Sequence, residues 1–207
     1  MKKNLILLIA FCTLCGLSYF WSQTPLNSPQ SSSDLDLSFQ SELLPILKNF
    51  QTLENQTHLE KAAFLQHETQ ADPQFISKIA RYLVNLKDIK EEDKDTILLR
   101  TAAINILEEL LRLKSQTQIT EEVENSLRLL IVHEIPQKSS GFTQRLSMTE
   151  KFEFTLILAR HHPLLAQKAL QSISNPQIRA PLKQALMTGV LEAGLSEKDA
   201  LLFLRDL

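Results

Sequence analysis

Asp95-Thr96-Ile97-Leu98-Leu99-Arg100-Thr101-Ala102-Ala103-Ile104-Asn105-Ile106-Leu107-Glu108-Glu109-Leu110-Leu111-Arg112-Leu113 is the stretch that decides the fold. Leu99, Ala103, Ile106, Leu107 and Leu110 recur at three- and four-residue steps, which puts them on one face of a helix. Leu98, Ala102 and Leu111 widen that face beyond what a surface helix carries, so the helix has to be covered on two sides. A helix lying inside a layered stack meets that requirement.

The chain on either side repeats the helical period, with start signals attached. Asp72-Pro73 reads as an N-cap followed by proline in the first turn, before the stripe Phe75, Ile76, Ile79, Ala80 and Leu83. Asn175-Pro176 repeats the device before Ile178, Leu182, Ala185, Leu186 and Gly189. Ser196 with Asp199 resembles a capping box, opening a last helix expected to bury Ala200, Leu201 and Leu204. Residues 39–53, 58–66, 119–135 and 164–173 supply further helices. Pro45 and Pro181, each lacking an amide proton, are expected to kink or restart theirs. Residues 151–158 alternate like a strand at their start. Ser147-Met148-Thr149-Glu150 offers a helix start, however, and no second strand pattern exists to pair with them, so the reading is helix.

Composition agrees. Only four glycines occur in 207 residues, too few for the turns of an all-β fold. The expected class is all-α, an irregular helical stack or antiparallel helical bundle over residues 38–207 as one domain. The net charge is −2, and it becomes more negative once Lys2 and Lys3 are set aside, so nucleic acid is not an expected partner. Both cysteines, Cys12 and Cys15, lie in the first apolar run, leaving residues 38–207 without a thiol for disulfides, metal or nucleophilic chemistry.

Lys2 and Lys3 precede an uncharged run from Leu5 to Trp21, which fits a signal anchor or a cleaved signal peptide over residues 1–21. The lysines place the amino terminus in the cytoplasm, and Tyr19-Phe20-Trp21 fits an aromatic belt at the outer end of a span. The expected location is the bacterial inner membrane with the body on the periplasmic side, or export if the leader is cut. Pro25, Pro29 and Ser31-Ser32-Ser33 mark residues 22–37 as a flexible tether, with a reach of about 20–25 Å.

Aligning Asp72-Pro73-Gln74-Phe75 with Asn175-Pro176-Gln177-Ile178 brings Ile79 onto Leu182 and Leu83 onto Leu186. A second alignment sets Leu99-Arg100, Ala103 and Leu107 on Ile178-Arg179, Leu182 and Leu186. With its apolar-Arg pair and aliphatic residues one and two turns on, the chain resembles HEAT/armadillo-type helical repeats over about half its length. An intermediate copy near residue 139 falls in a polar connection, residues 136–149. The resemblance implies a binding scaffold, since such stacks present extended surfaces to protein partners.

No catalytic signature is present. His58, His67, His133, His161 and His162 are the candidates for acid–base work near neutrality, and none sits in a two-histidine metal motif. His161-His162-Pro163 reads as a helix end, where imidazolium suits the last carbonyls. Glu91-Glu92-Asp93 with Asp95 lacks the spacing of a calcium loop and suits a helix amino end. Asn55-Gln56-Thr57 matches the glycosylation triplet.

The leading expectation is therefore a non-enzymatic, membrane-associated protein-interaction module of the bacterial cell envelope. A structural or assembly subunit of a larger envelope complex is the alternative, and an enzyme whose site is assembled from distant helices comes third. No cofactor, metal or small-molecule substrate is expected; a protein or peptide partner is. If the stack is HEAT-like, the exposed polar positions of residues 97–113 and 178–190 line a shared surface. These are Thr101, Asn105, Glu108, Glu109 and Arg112, together with Lys183, Gln184 and Met187. An open groove there favours the interaction module; a convergent cluster of carboxylates and histidines favours the enzyme.

Overall fold

The computed structural model describes residues 32–86, 89–113, 117–134, 139–205 and 207. The expected leader, residues 1–21, and residues 22–31 of the expected tether lie outside the described residues. Among those described there are nine helices and no strand: α1 Ser32–Thr52, α2 His58–Ala71, α3 Phe75–Val84, α4 Lys94–Arg112, α5 Thr117–Val132, α6 Gly141–His161, α7 Pro163–Gln171, α8 Pro176–Glu192 and α9 Glu197–Arg205. The all-α class is as the sequence indicates. No described helix is long and apolar enough to cross a membrane. Helix α1 begins inside the expected tether, so residues 32–37 are helical rather than flexible coil. A compact unit runs from Phe39 to Leu207.

Within that unit each helix from α2 onward packs on the next and on the next but one. That pattern sorts α2, α4, α6 and α8 into one layer and α3, α5, α7 and α9 into the other. The wide stripe of α4 meets neighbours in its own layer and in the other: Leu99, Ala102, Ala103, Ile104, Ile106, Leu107, Leu110 and Leu111 are all buried. Three ion pairs in chain order, Glu91–Arg145, Arg100–Glu150 and Glu108–Arg160, make α4 and α6 parallel. Arg160 also holds Glu192, bringing the carboxy ends of α4, α6 and α8 together. Among the described helices α6 and α8 share the most extensive contact. Gly189 permits it, because a Cβ there would lie 2.7 Å from both Ala159 Cβ and the Leu156 carbonyl oxygen.

The local signals succeed unevenly. Asn175 caps α8 with its side chain, accepting from the Gln177 amide at 2.9 Å, with Pro176 in the first turn. Asp72 accepts from the Gln74 amide at 2.8 Å in the same way. It terminates α2 instead of capping the next helix, which starts at Phe75. The carboxylate of Asp72 is engaged by Lys78 at 2.8 Å, which holds it below the usual range. Ser196 Oγ accepts from the Asp199 amide at 3.2 Å, as an N-cap does, and donates to the Asp199 carboxylate at 2.6 Å, but Leu201 stays 54% exposed while Ala200 is buried. Pro45 and Pro181 restart nothing: both lie within continuous helices. The carbonyl that Pro181 leaves without a helical donor, on Gln177, belongs to an exposed residue that water can reach. Helix α8 ends in a Schellman motif, with Leu195 N donating to Val190 O and Gly194, at φ +91°, supplying the left-handed step.

The largest departure is α6. It starts at Gly141 with Ser140 as its cap, so most of the expected polar connection is helix. Thr143, Ser147, Glu150, Lys151 and Thr155 are buried in it. Polar side chains inside the stack hide the apolar period that would have revealed the helix.

Candidate functional site

Between the carboxy end of α1, helix α2 and the outer face of α4 lies a partly open groove of about 180 Å³. Phe50, Leu98 and Ala102 give it an apolar side, and Gln51, Thr101 and Asn105 add hydrogen-bonding groups. Glu54, Lys61, Glu108 and Glu109 supply the charges. Phe50 is fixed by Phe64, ring centroids 6.2 Å apart, and Leu98 is 56% exposed. Thr57 starts α2 with a capping box closed by Glu60, which sets Lys61 at the groove with Nζ donating to the Glu54 carbonyl at 3.0 Å.

The two adjacent carboxylates at the end of α4 are held by cations. Arg112 donates to Glu108 at 2.7 Å and to Glu109 at 3.0 Å. Arg160 bonds Glu108, and reaches Glu192 at 2.6 Å. His58 Nδ1 lies 3.2 Å from Glu109 Oε2. Glu153 sits near Arg160, Glu108 and Glu192, and burial raises its pKa above the usual carboxylate value.

Thr101, Asn105, Glu108 and Glu109 thus come together in one groove, with Arg112 bridging the two carboxylates. Lys183, Gln184 and Met187 do not join them. They lie on α8, separated from α4 by α6, and Met187 packs half-buried against the core. The expectation that all eight are exposed is also corrected: Glu108, Glu109, Lys183 and Met187 are half-buried. Glu109, at 14% side-chain exposure and bonded by Arg112 and His58, is a poorer place for a silent charge reversal than an exposed residue.

The sequence reading missed Phe50, Gln51, Glu54 and Lys61, because the groove arises where distant helices cross. His58 was noticed as a residue but not as the partner of Glu109, which is far away in the chain. His161-His162 lies at the end of α6 as expected; His162 Nε2 is 2.9 Å from Glu124, tying that end to α5. Among the described residues no group of three or more histidine, cysteine, aspartate and glutamate side chains is placed to hold a metal. No protein family, curated protein or solved structure matches this chain.

Proposed function

We propose that the chain is a non-enzymatic, membrane-associated protein-interaction module of the bacterial cell envelope, with the two helical layers acting as a short HEAT-like scaffold and the α1–α2–α4 groove as its docking point. The observation that carries this reading is the convergence of Thr101, Asn105, Glu108 and Glu109 beside the apolar Phe50, Leu98 and Ala102. A solvent-open mixture of apolar surface and hydrogen-bonding groups suits a protein or peptide segment. The lysine-led apolar leader supports membrane attachment with the body outside the cytoplasm.

One observation favours an enzyme instead: a histidine–carboxylate pair, His58 with Glu109, stands at the groove. It is the weaker reading, because the His58 side chain is 73% exposed and Glu109 is already engaged by Arg112. Open exposure gives such a pair little of the water exclusion that acid–base catalysis uses.

The test is co-purification of full-length, carboxy-terminally tagged protein from intact envelopes, in parallel with Asn105→Trp, which fills the groove from an exposed helix position. The expected result is a membrane-bound protein whose specific partner is lost in Asn105→Trp. Recovery in the soluble cytoplasmic fraction, or a partner retained by Asn105→Trp, overturns the reading.

A further inference from the structure

We infer that the groove selects a cationic side chain on an apolar stem, an arginine or lysine of the docking segment. This rests on the groove being the docking point proposed above. Three carboxylates line it, Glu54, Glu108 and Glu109, against one ammonium, Lys61. Helix poles add to the imbalance. The carboxy ends of α1 and α4 both contribute residues to the groove, and α1 has no basic residue in its last turn to offset its carbonyls. The opposing amino pole of α2 carries Glu60, whose carboxylate accepts from Thr57 at 2.9 Å and is held below its usual pKa.

The neighbouring cations do not remove this excess. Arg112 and Arg160 meet the Glu108–Glu109 pair, but Arg160 is shared with Glu192 and lies beside Glu153. Both arginines bond Glu108 through the same oxygen, Oε1. Counting His58 as neutral, Glu54, Glu60, Glu108, Glu109 and Glu192 make five carboxylates against the three cations Lys61, Arg112 and Arg160.

Size limits what enters. A groove of about 180 Å³ does not take in a whole helix, about 10–12 Å across with its side chains, so a docking segment of any form enters it only by a side chain. It suits one long side chain whose methylenes lie along Phe50, Leu98 and Ala102 while its charged head meets the carboxylates, the usual division of a lysine or arginine between apolar and polar surroundings.

The test uses the full-length protein and capped pentapeptides Gly-Leu-X-Leu-Gly, with X arginine, norleucine or glutamate, titrated by fluorescence anisotropy. The arginine peptide should bind about tenfold tighter than the norleucine peptide, and glutamate weakest, with the arginine preference shrinking as salt rises. Glu54→Lys should erase that preference, and Lys61→Gln should strengthen arginine binding about threefold; both residues sit where the fold tolerates the change, which an unchanged thermal transition verifies. Equal binding of the arginine and norleucine peptides, with Asn105→Trp still abolishing both, overturns the cationic selection while leaving the docking point in place. Binding of all three peptides unaffected by Asn105→Trp, or no binding by any, overturns the inference, and partner capture in Asn105→Trp then decides whether the docking point falls with it.

Discussion

Arg100 and Lys151 occupy equivalent places in two successive helix pairs and solve one problem with different chemistry. Arg100, on α4, donates to the carbonyls of Tyr82, Leu83 and Asn85 at the end of α3. Lys151, on α6, donates to those of Leu130, Ile131 and His133 at the end of α5. The spacing of the acceptors is the same in both, and each cation is buried against the helix end that precedes its own. A helix leaves its last four carbonyls without intrahelical donors, and inside a stack water cannot supply them. A cation from the following helix does so and also meets the negative pole.

The residue types differ because the number of remaining tasks differs. An arginine has five donors, and after the carbonyls of α3 two bonds go to Glu150, at 2.6 Å from Nε and 2.8 Å from Nη2, with the Tyr82 ring 5.6 Å away. A lysine has three, and all three go to α5. Glu150 and Lys151 are neighbours in sequence, yet on a helix consecutive residues face different directions, so Glu150 serves α4 while Lys151 serves α5.

This difference sets the largest predicted effect. Arg100→Met removes the cation and leaves Glu150 buried without its partner, a loss of about 3–5 kcal/mol. Denaturant unfolding of the full chain measures it. Lys151→Met leaves three carbonyls short of donors but strands no charge, so the loss is smaller, about 1–3 kcal/mol. Equal losses in the two variants would mean that carbonyl capping, and not the Glu150 pair, dominates at both places.

A double variant separates the two contributions of Arg100. In Arg100→Met with Glu150→Met no ion remains, and apolar replacement of a buried pair is often close to neutral. The remaining deficit is that of the uncapped α3 carbonyls, about 1–2 kcal/mol. A double variant as unstable as Arg100→Met would show that the carbonyl bonds carry the whole effect.

These clamps also mark where sequence reading reaches its limit. The apolar period of α4 is plain, and seven of its eight positions are buried; Leu98 stays exposed, and Ile104, outside the stripe, is buried in its stead. Arg100 is visible as the cation after Leu99, but its partner is not, since Glu150 reads only as part of the helix start Ser147-Met148-Thr149-Glu150, far away in the chain. Helix α6 carries Lys151 at the place that Arg100 holds in α4, in a helix whose start at Gly141 precedes the expected one at Ser147. Buried polar residues satisfied by other helices cannot be told from surface ones by periodicity alone. The groove was half legible for a similar reason. One helix face can be read from residues three and four apart, whereas Phe50, Glu54 and Lys61 reach it only through packing.

The smallest predicted difference between the clamps is in their response to pH. Burial pushes the Lys151 ammonium down to about 8, with the charge of Glu150 acting in the opposite sense. Its folded pKa therefore lies below the ordinary 10.5. Between these two values the unfolded chain holds a proton that the folded chain has released, so stability rises with pH across that window and the gain disappears as pH falls through 8. His133, whose carbonyl Lys151 caps, has its imidazole pKa lowered by burial and then by the Lys151 charge. It adds a loss of stability on acidification below about 6.5, where the unfolded chain takes up the proton first. Arginine does not titrate in this range, so Arg100→Met should keep both slopes. Lys151→Met should lose the alkaline slope and weaken the acidic one. A fall from 10.5 to about 8 corresponds to about 3 kcal/mol at most, and three carbonyl acceptors matching the three ammonium protons oppose the effect of burial and hold the alkaline gain below that. Unfolding free energies at pH 6, 7.5, 9 and 10, taken as differences from Lys151→Met, cancel the other lysines and tyrosines. A flat difference between pH 8 and 10 would mean that the α5 carbonyls hold Lys151 charged throughout, and the two clamps would then differ only in the counterion.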